Sequence, residues 1–401
     1  MNLFGLMKDI VYGLTKLKFG KKLSGRQRTL LALMGKIPDR IPLACGIANI
    51  NPFWVNPSKY DYFKLVNDPK LSLEFIQDLM ELIPDIDWWG EPWLGGVMLS
   101  EGACECGTIF EFPRDTFAYP IKYPVNEAKD LDALHLQLGG YLENYIETLG
   151  LVRDEFPNLL FPPLIPCPWT LGTFLREADR LIQDFILYKN YIETESAARR
   201  RKLERRAQAR AIDPLFWECE MEVFLNLCFE VRDRHKEAGT LGFGTTVYDL
   251  YGSPPNLDIE AYAQYVYPFT KEILRGLQFS PLIWQPTSPE EINHMKQIFK
   301  GLLIGNLGYE IDEYGLFSRK FDESTIDVAK GLKSLVAMNI APDFLRDADV
   351  TQIQEYSSHL CALAIKKRVP ALFSIIGIAA HTPRDNVRAT INVVLKEGYY
   401  T

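Results

Sequence analysis

Apolar residues fall along the chain in short runs of strand length, separated by stretches of helical period. Eight runs stand out: Ile41 to Ala44, Ile86 to Trp89, Leu159 to Ile165, Leu241 to Val247, Leu282 to Trp284, Leu302 to Ile304, Ser334 to Met338, and Ala371 to Ile376. Strands that alternate with helices make a parallel sheet, and runs apolar throughout belong to strands buried on both faces. Eight such units predict an α/β chain folded as a single (β/α)8 TIM barrel. No Gly-x-Gly-x-x-Gly follows the first run, which removes the main reason to expect a dinucleotide-binding sheet.

Two stretches depart from the alternation. Leu3, Leu6, Met7, Ile10, Val11, Leu14 and Leu17 recur at helical spacing, with Lys8, Lys16, Lys18, Lys21 and Lys22 between or after them. Residues 1–25 are therefore read as an amphipathic helical extension ahead of a barrel over 26–401. Covering one end of its own fold is the simplest role; peripheral contact with a membrane or partner through residues 1–22 is the alternative. Lys8 and Asp9 interrupt the apolar run, so no membrane span is expected. The second stretch, about 185–235, is a helical insertion between the third and fourth strands. It carries Arg199, Arg200, Arg201, Lys202, Arg205, Arg206 and Arg210, ordinarily a solvated face, with docking of an acidic partner as the alternative.

Composition narrows the picture. With 401 residues, 47% of them hydrophobic, a sizeable core is available, and a net charge of -8 argues against a global nucleic-acid footprint. Seven cysteines form no regular framework and no secretory signal precedes them, so reduced thiols in a cytoplasm are expected.

In a barrel, chemistry belongs where strands end and βα loops begin. That rule selects Asn49 and Asn51 after strand one, Trp88 and Glu91 after two, Cys167 and Trp169 after three, and Tyr248 and Asp249 after four. Gln285 follows strand five, Tyr309, Glu310 and Asp312 follow six, Asn339 follows seven, and His381 follows eight. Asp85, Asp87 and Glu91 are expected to cluster at the end of strand two. Beside Trp88, Trp89 and Trp93 a carboxyl would lose hydration and could donate a proton, although Glu91 before Pro92 also suits a helix start. Glu91, Asp249 and Glu310 are the expected catalytic acids. Asn49, Trp88, Trp169, Tyr248, Gln285, Tyr309 and Asn339 are the expected substrate contacts. Such a pocket suits a neutral or cationic organic molecule. Cys104-Glu105-Cys106 is read as structural, a metal site there being geometrically conceivable. No Gly-x-Ser-x-Gly, P-loop or His-Glu-x-x-His occurs.

Five segments, in chain order, resemble the uroporphyrinogen decarboxylase superfamily, which includes corrinoid-linked methyltransferases. They are Thr29 to Pro42 with its Pro38-Asp39-Arg40 corner, Pro166 to Phe174 with Pro-Trp-Thr-Leu, Asp249 to Ser253 with Leu257 to Tyr262 and Tyr267-Pro268, Asn339 to Leu345, and Thr382 to Val387. The resemblance implies the barrel and a small-molecule substrate.

Departures from the superfamily decide the chemistry. Its decarboxylases carry an arginine-rich loop after strand one to meet a polycarboxylate; here Cys45 to Trp54 contains no arginine. Its thiol methyltransferases hold zinc through His-x-Cys after strand five and a Cys in the last loop. The corresponding residues here are Trp284, Gln285 and Ile376, so no zinc is expected in the barrel. His359-Leu360-Cys361 spells His-x-Cys but falls within a helix. The expected activity is transfer of a methyl group from an O- or N-methyl compound to a corrinoid (cobalamin) protein, with no tightly bound cofactor. The alternatives are decarboxylation of a porphyrinogen-like or smaller carboxylate, and a non-catalytic barrel binding a tetrapyrrole or partner.

Overall fold

The computed structural model describes residues 3–18, 20–46, 50–89, 102–113, 118–157, 161, 163–241, 245–249, 252, 256–275, 277, 282–283, 336–375 and 377–400. Nine strands lie among them: β1 Leu43–Cys45, β2 Trp88–Trp89, β3 Ile109–Glu111, β4 Tyr119–Lys122, β5 Leu164–Pro166, β6 Thr246–Tyr248, β7 Leu282–Ile283, β8 Val336–Ile340 and β9 Ala371–Ile375. Helices are α1 Leu3–Lys18, α2 Gly25–Leu33, α3 Pro52–Val55, α4 Tyr62–Asn67, α5 Pro69–Leu82, α6 Tyr141–Glu155, α7 Pro168–Leu175, α8 Ala178–Glu193, α9 Ala197–Gln208, α10 Phe216–Glu237, α11 Ile259–Ala261 and α12 Tyr267–Arg275. Further helices span Pro342–Asp347, Val350–Lys367 and Arg384–Glu397.

Seven of the eight expected strands are present, and Leu302 to Ile304 lies outside the described residues. They form two parallel sheets, ordered β2-β1-β9-β8 and β5-β6-β7. Every adjacency joins strands consecutive in the expected series, and the first strand lies beside the last: Leu43 pairs with Phe373 and Cys45 with Ile375. β1, β5 and β9 are buried at every residue, as strands covered on both faces must be. The sequence reading did not anticipate the antiparallel pair β3-β4, because Ile109, Tyr119 and Ile121 point their apolar side chains outward.

Local signals set the helix starts. Ser24 and Gln27 form a reciprocal capping box on α2, and Asp349 with Gln352 does the same for Val350–Lys367. The starts of β1 and β2 are locked by charge. Arg28 Nε lies 2.6 Å from Asp39 Oδ1, Arg28 Nη1 lies 2.6 Å from Asp87 Oδ1, and Arg40 Nη1 lies 2.7 Å from Asp87 Oδ2. Asp87 Oδ2 also accepts from Leu43 N at 2.9 Å. The acidic cluster expected at the end of strand two is corrected here: Asp87 precedes β2 and is consumed by two arginines, while Asp85 lies in the exposed turn before it.

A second buried ion group fixes the helices that follow β5. Arg176 bridges Asp184 at 2.9 Å and Glu220 at 3.1 Å, and Arg210 closes on Asp184 at 2.5 Å. The last arginine of the basic run thus turns inward, whereas Arg199, Arg200, Arg201, Lys202, Arg205 and Arg206 are exposed along α9. No helix among the described residues is long and apolar enough to cross a membrane.

Candidate functional site

The loops after the first and last strands are stitched together. Ile50 bridges to Ile378, and Asn51 N donates to Ile378 O at 2.8 Å. Asn51 Oδ1 accepts from Phe53 N at 3.0 Å and so caps α3. Trp54 Nε1 donates to Thr382 O at 2.8 Å, and the Arg384 guanidinium sits 5.6 Å from the centre of the Trp54 ring while donating to Trp54 O and Val55 O. Asn386 Nδ2 then donates to Leu345 O and Ala348 O, at 2.9 and 2.8 Å. The Thr382 to Val387 and Asn339 to Leu345 segments therefore meet through Asn386, and their sequence pattern has a packing cause.

Asn339, half-buried near the end of β8, is registered against Ser374 of β9. On the other sheet Tyr248 ends β6, registered against Pro166 of β5, and Asp249 follows it immediately. Asp249 is completely buried. Its Oδ2 accepts from Tyr262 Oη at 2.6 Å and Thr270 Oγ1 at 2.7 Å, while Oδ1 accepts from Thr170 Oγ1 at 3.1 Å. Burial lifts its pKa to about 6, against the opposing effect of the hydroxyl groups and of the Cys167 thiol. Tyr262 begins a π-helical turn, Tyr262–Val266, between α11 and α12; such turns recur at functional sites. Gly252 allows this approach, since a Cβ there would meet the Tyr262 ring at 2.8 Å.

Trp169 is also fully buried, edge-on to Phe185 at 5.7 Å and tilted against Trp217 at 6.4 Å. It occupies the apolar layer between α7, α8 and α10. Gly172 lets α7 and α10 approach, because a Cβ would stand 2.7 Å from the Phe224 ring. Asp249 thus meets α7 through Thr170, while the neighbouring Trp169 packs against Phe185 and Trp217. Asn49, Glu91, Gln285, Tyr309 and Glu310 lie outside the described residues, and Trp88 lies in β2 opposite Ala44.

Among the described residues no group of three or more His, Cys, Asp or Glu side chains is arranged to hold a metal ion. Glu105 Oε1 accepts from Leu142 N at 2.9 Å and so caps the start of α6. Burial pushes the Cys106 thiol up to about 12 and raises the Cys104 thiol as well. His359 is exposed while Cys361 is buried, so the His-x-Cys residues of that helix face different surroundings.

Sequence reading missed Thr170, Tyr262 and Thr270 as partners of Asp249. The first two lie inside segments that resemble the superfamily, whereas Thr270 lies outside them.

No family model matches the chain, and no curated protein does. A solved structure of a methyltransferase from Methanosarcina mazei aligns with 94% of this chain and 99% of its own, at TM-score 0.68 and 15% identity. That likeness shows a shared fold. The carboxyl transferase domain of Rhizobium etli pyruvate carboxylase, with pyruvate and biocytin, aligns with 93% of this chain and 51% of that chain at TM-score 0.32 and 12% identity, too low to support any argument.

Proposed function

We propose that this chain is a methyltransferase of the uroporphyrinogen decarboxylase superfamily, built on a closed (β/α)8 barrel and working in the cytoplasm. It moves a methyl group from an O- or N-methyl compound to a corrinoid protein. The observation carrying this reading is the order of the parallel strands within the two sheets, with the first beside the last, in a chain sharing its fold over nearly its full length with a methyltransferase. The arginine-free loop from Cys45 to Trp54 disfavours a polycarboxylate substrate.

In this reading Glu91 and Glu310 are the proton donors. As the methyl group departs, its former oxygen or nitrogen takes up the proton, which makes it a better leaving group. Asn49, Trp88, Tyr248, Gln285, Tyr309 and Asn339 orient the substrate. Asp249, enclosed by hydroxyl groups, holds the loop after β6 and acts as a positioning residue, and Trp169 stiffens α7 behind it. The corrinoid enters as the acceptor carried by another protein, so no residue here is assigned to hold it.

Incubation with cob(I)alamin and a panel of O- and N-methyl donors should produce the methylcobalamin spectrum with at least one donor. Silence across the panel, with carbon dioxide released from a porphyrinogen instead, would replace this reading with decarboxylation.

A further inference from the structure

Helix α1 presents two unlike faces. Ile10 and Gly13 turn inward, and a Cβ on Gly13 would stand 3.5 Å from Gln27 Cβ of α2. Asp9, the sole acid among residues 1–22, is held by Arg26 at 2.8 Å, and Lys16 Nζ reaches Gln27 Oε1 at 3.2 Å. At about 100° per residue the opposite side brings Lys8, Val11, Thr15 and Lys18 into line, flanked by Tyr12 and Leu14. Val11 and Tyr12 are each 58% exposed and Leu14 39%. Lys21 and Lys22 follow, both exposed, just past the turn at Gly20, whose φ is +64°. Among the described side chains, the outer face therefore interleaves three apolar groups with four lysines and no carboxylate, in a chain whose net charge is -8.

An acidic protein would be satisfied by the lysines and an apolar partner by the hydrophobic trio. Both together match a surface that is anionic outside and apolar a few ångströms deeper, which is a bilayer of acidic phospholipid. We infer that α1 is a peripheral membrane anchor, lying flat with Val11, Tyr12 and Leu14 at the acyl boundary and Lys8, Lys18, Lys21 and Lys22 among the phosphates. Its position suits this role. α1 packs on α2, whose Arg28 grips Asp87 just ahead of β2, so it lies at the end where the strands begin. Docking there leaves the opposite rim, where β6 and β8 end, turned away from the bilayer.

The full chain should sediment with vesicles containing phosphatidylglycerol and not with vesicles of phosphatidylcholine alone, and high salt should release it. Each lysine near an anionic surface contributes about fivefold, so replacing Lys18, Lys21 and Lys22 by Ala should weaken partitioning roughly a hundredfold. Val11→Glu with Tyr12→Glu should abolish it at low salt. All five side chains are exposed, and unchanged urea unfolding confirms that the variants keep the fold. Equal binding to both vesicle types, no binding to either, or binding indifferent to the substitutions overturns the inference. So does a dimer in sedimentation equilibrium that Val11→Glu dissolves while vesicle binding is absent, which would assign the face to a second copy.

Discussion

Arg28 Nη1 stands 2.6 Å from Asp87 Oδ1, joining α2 to the residue just before β2 across 59 positions of sequence. Arg40 occupies the other oxygen of the same carboxylate, so one buried anion organises the starts of two neighbouring strands. Such groups are weak sources of stability when complete and expensive to break, since the survivor is a buried, unpaired charge.

Asp87→Ala leaves two nearly buried guanidinium groups without that partner. The expected loss is about 3–5 kcal/mol, read as a lower urea midpoint with an unchanged slope. A change below about 1 kcal/mol would mean that Asp39 and water suffice for both arginines.

Asp249→Ala strands the hydroxyl groups of Tyr262, Thr270 and Thr170 in a dry site. At about 1–3 kcal/mol for each unsatisfied group, several kcal/mol of stability should go. The pH dependence has a definite sign. A carboxyl whose folded pKa is raised from 3.8 to about 6 stabilises fully below 3.8, and that contribution fades as pH rises through 6, by about 3 kcal/mol in all. Asp249→Asn should erase this fall, so that the variant's stability relative to the parent's climbs steadily between pH 4 and 6 in urea titrations.

His235 runs the opposite way. It is fully buried at the end of α10, its Nδ1 2.8 Å from Thr240 Oγ1, and burial, helped by Arg153, lowers its pKa to about 3. Its neutral form stabilises fully above 6.5, and the contribution is lost as pH falls from there towards 3. At pH 5 the loss is about 2 kcal/mol. Because Asp249 compensates over much of that interval, the parent protein should show a shallow profile. His235→Leu should expose the Asp249 slope; an identical profile for the variant would show that His235 does not titrate with folding.

Gly172→Ala pushes a methyl group towards the Phe224 ring between α7 and α10. A destabilisation of about 1–3 kcal/mol is expected, and Phe224→Leu in the same chain should recover part of it. Full additivity of the two substitutions would place the strain elsewhere.

The alternation of apolar runs and helical stretches located the parallel strands to within a few residues, because runs such as Leu43 to Cys45 and Ala371 to Ile375 are buried on both faces and have no polar alternative. The site was less legible. Asp249 stood out from its sequence context, yet its enclosure by Thr170 and Thr270 depends on helices arriving from 79 residues upstream and 21 downstream, which no local pattern encodes. Asp87 was misplaced for a related reason. Composition cannot tell which end of a two-residue strand a carboxylate adjoins, and only the distant Arg28 and Arg40 decide it.

The zipper between the two ends of the fold also bears on how the chain is made. Ile41 N donates to Gly398 O, Tyr400 N donates to Asp39 O, and Arg40 bridges to Tyr399. On a ribosome adding about 5–20 residues per second, β1 emerges tens of seconds before β9 and the tail that flank it. For that interval its apolar edge is open to any passing strand. A nascent chain stalled just before residue 371 should therefore recruit holding chaperones, and one released after Tyr400 should shed them.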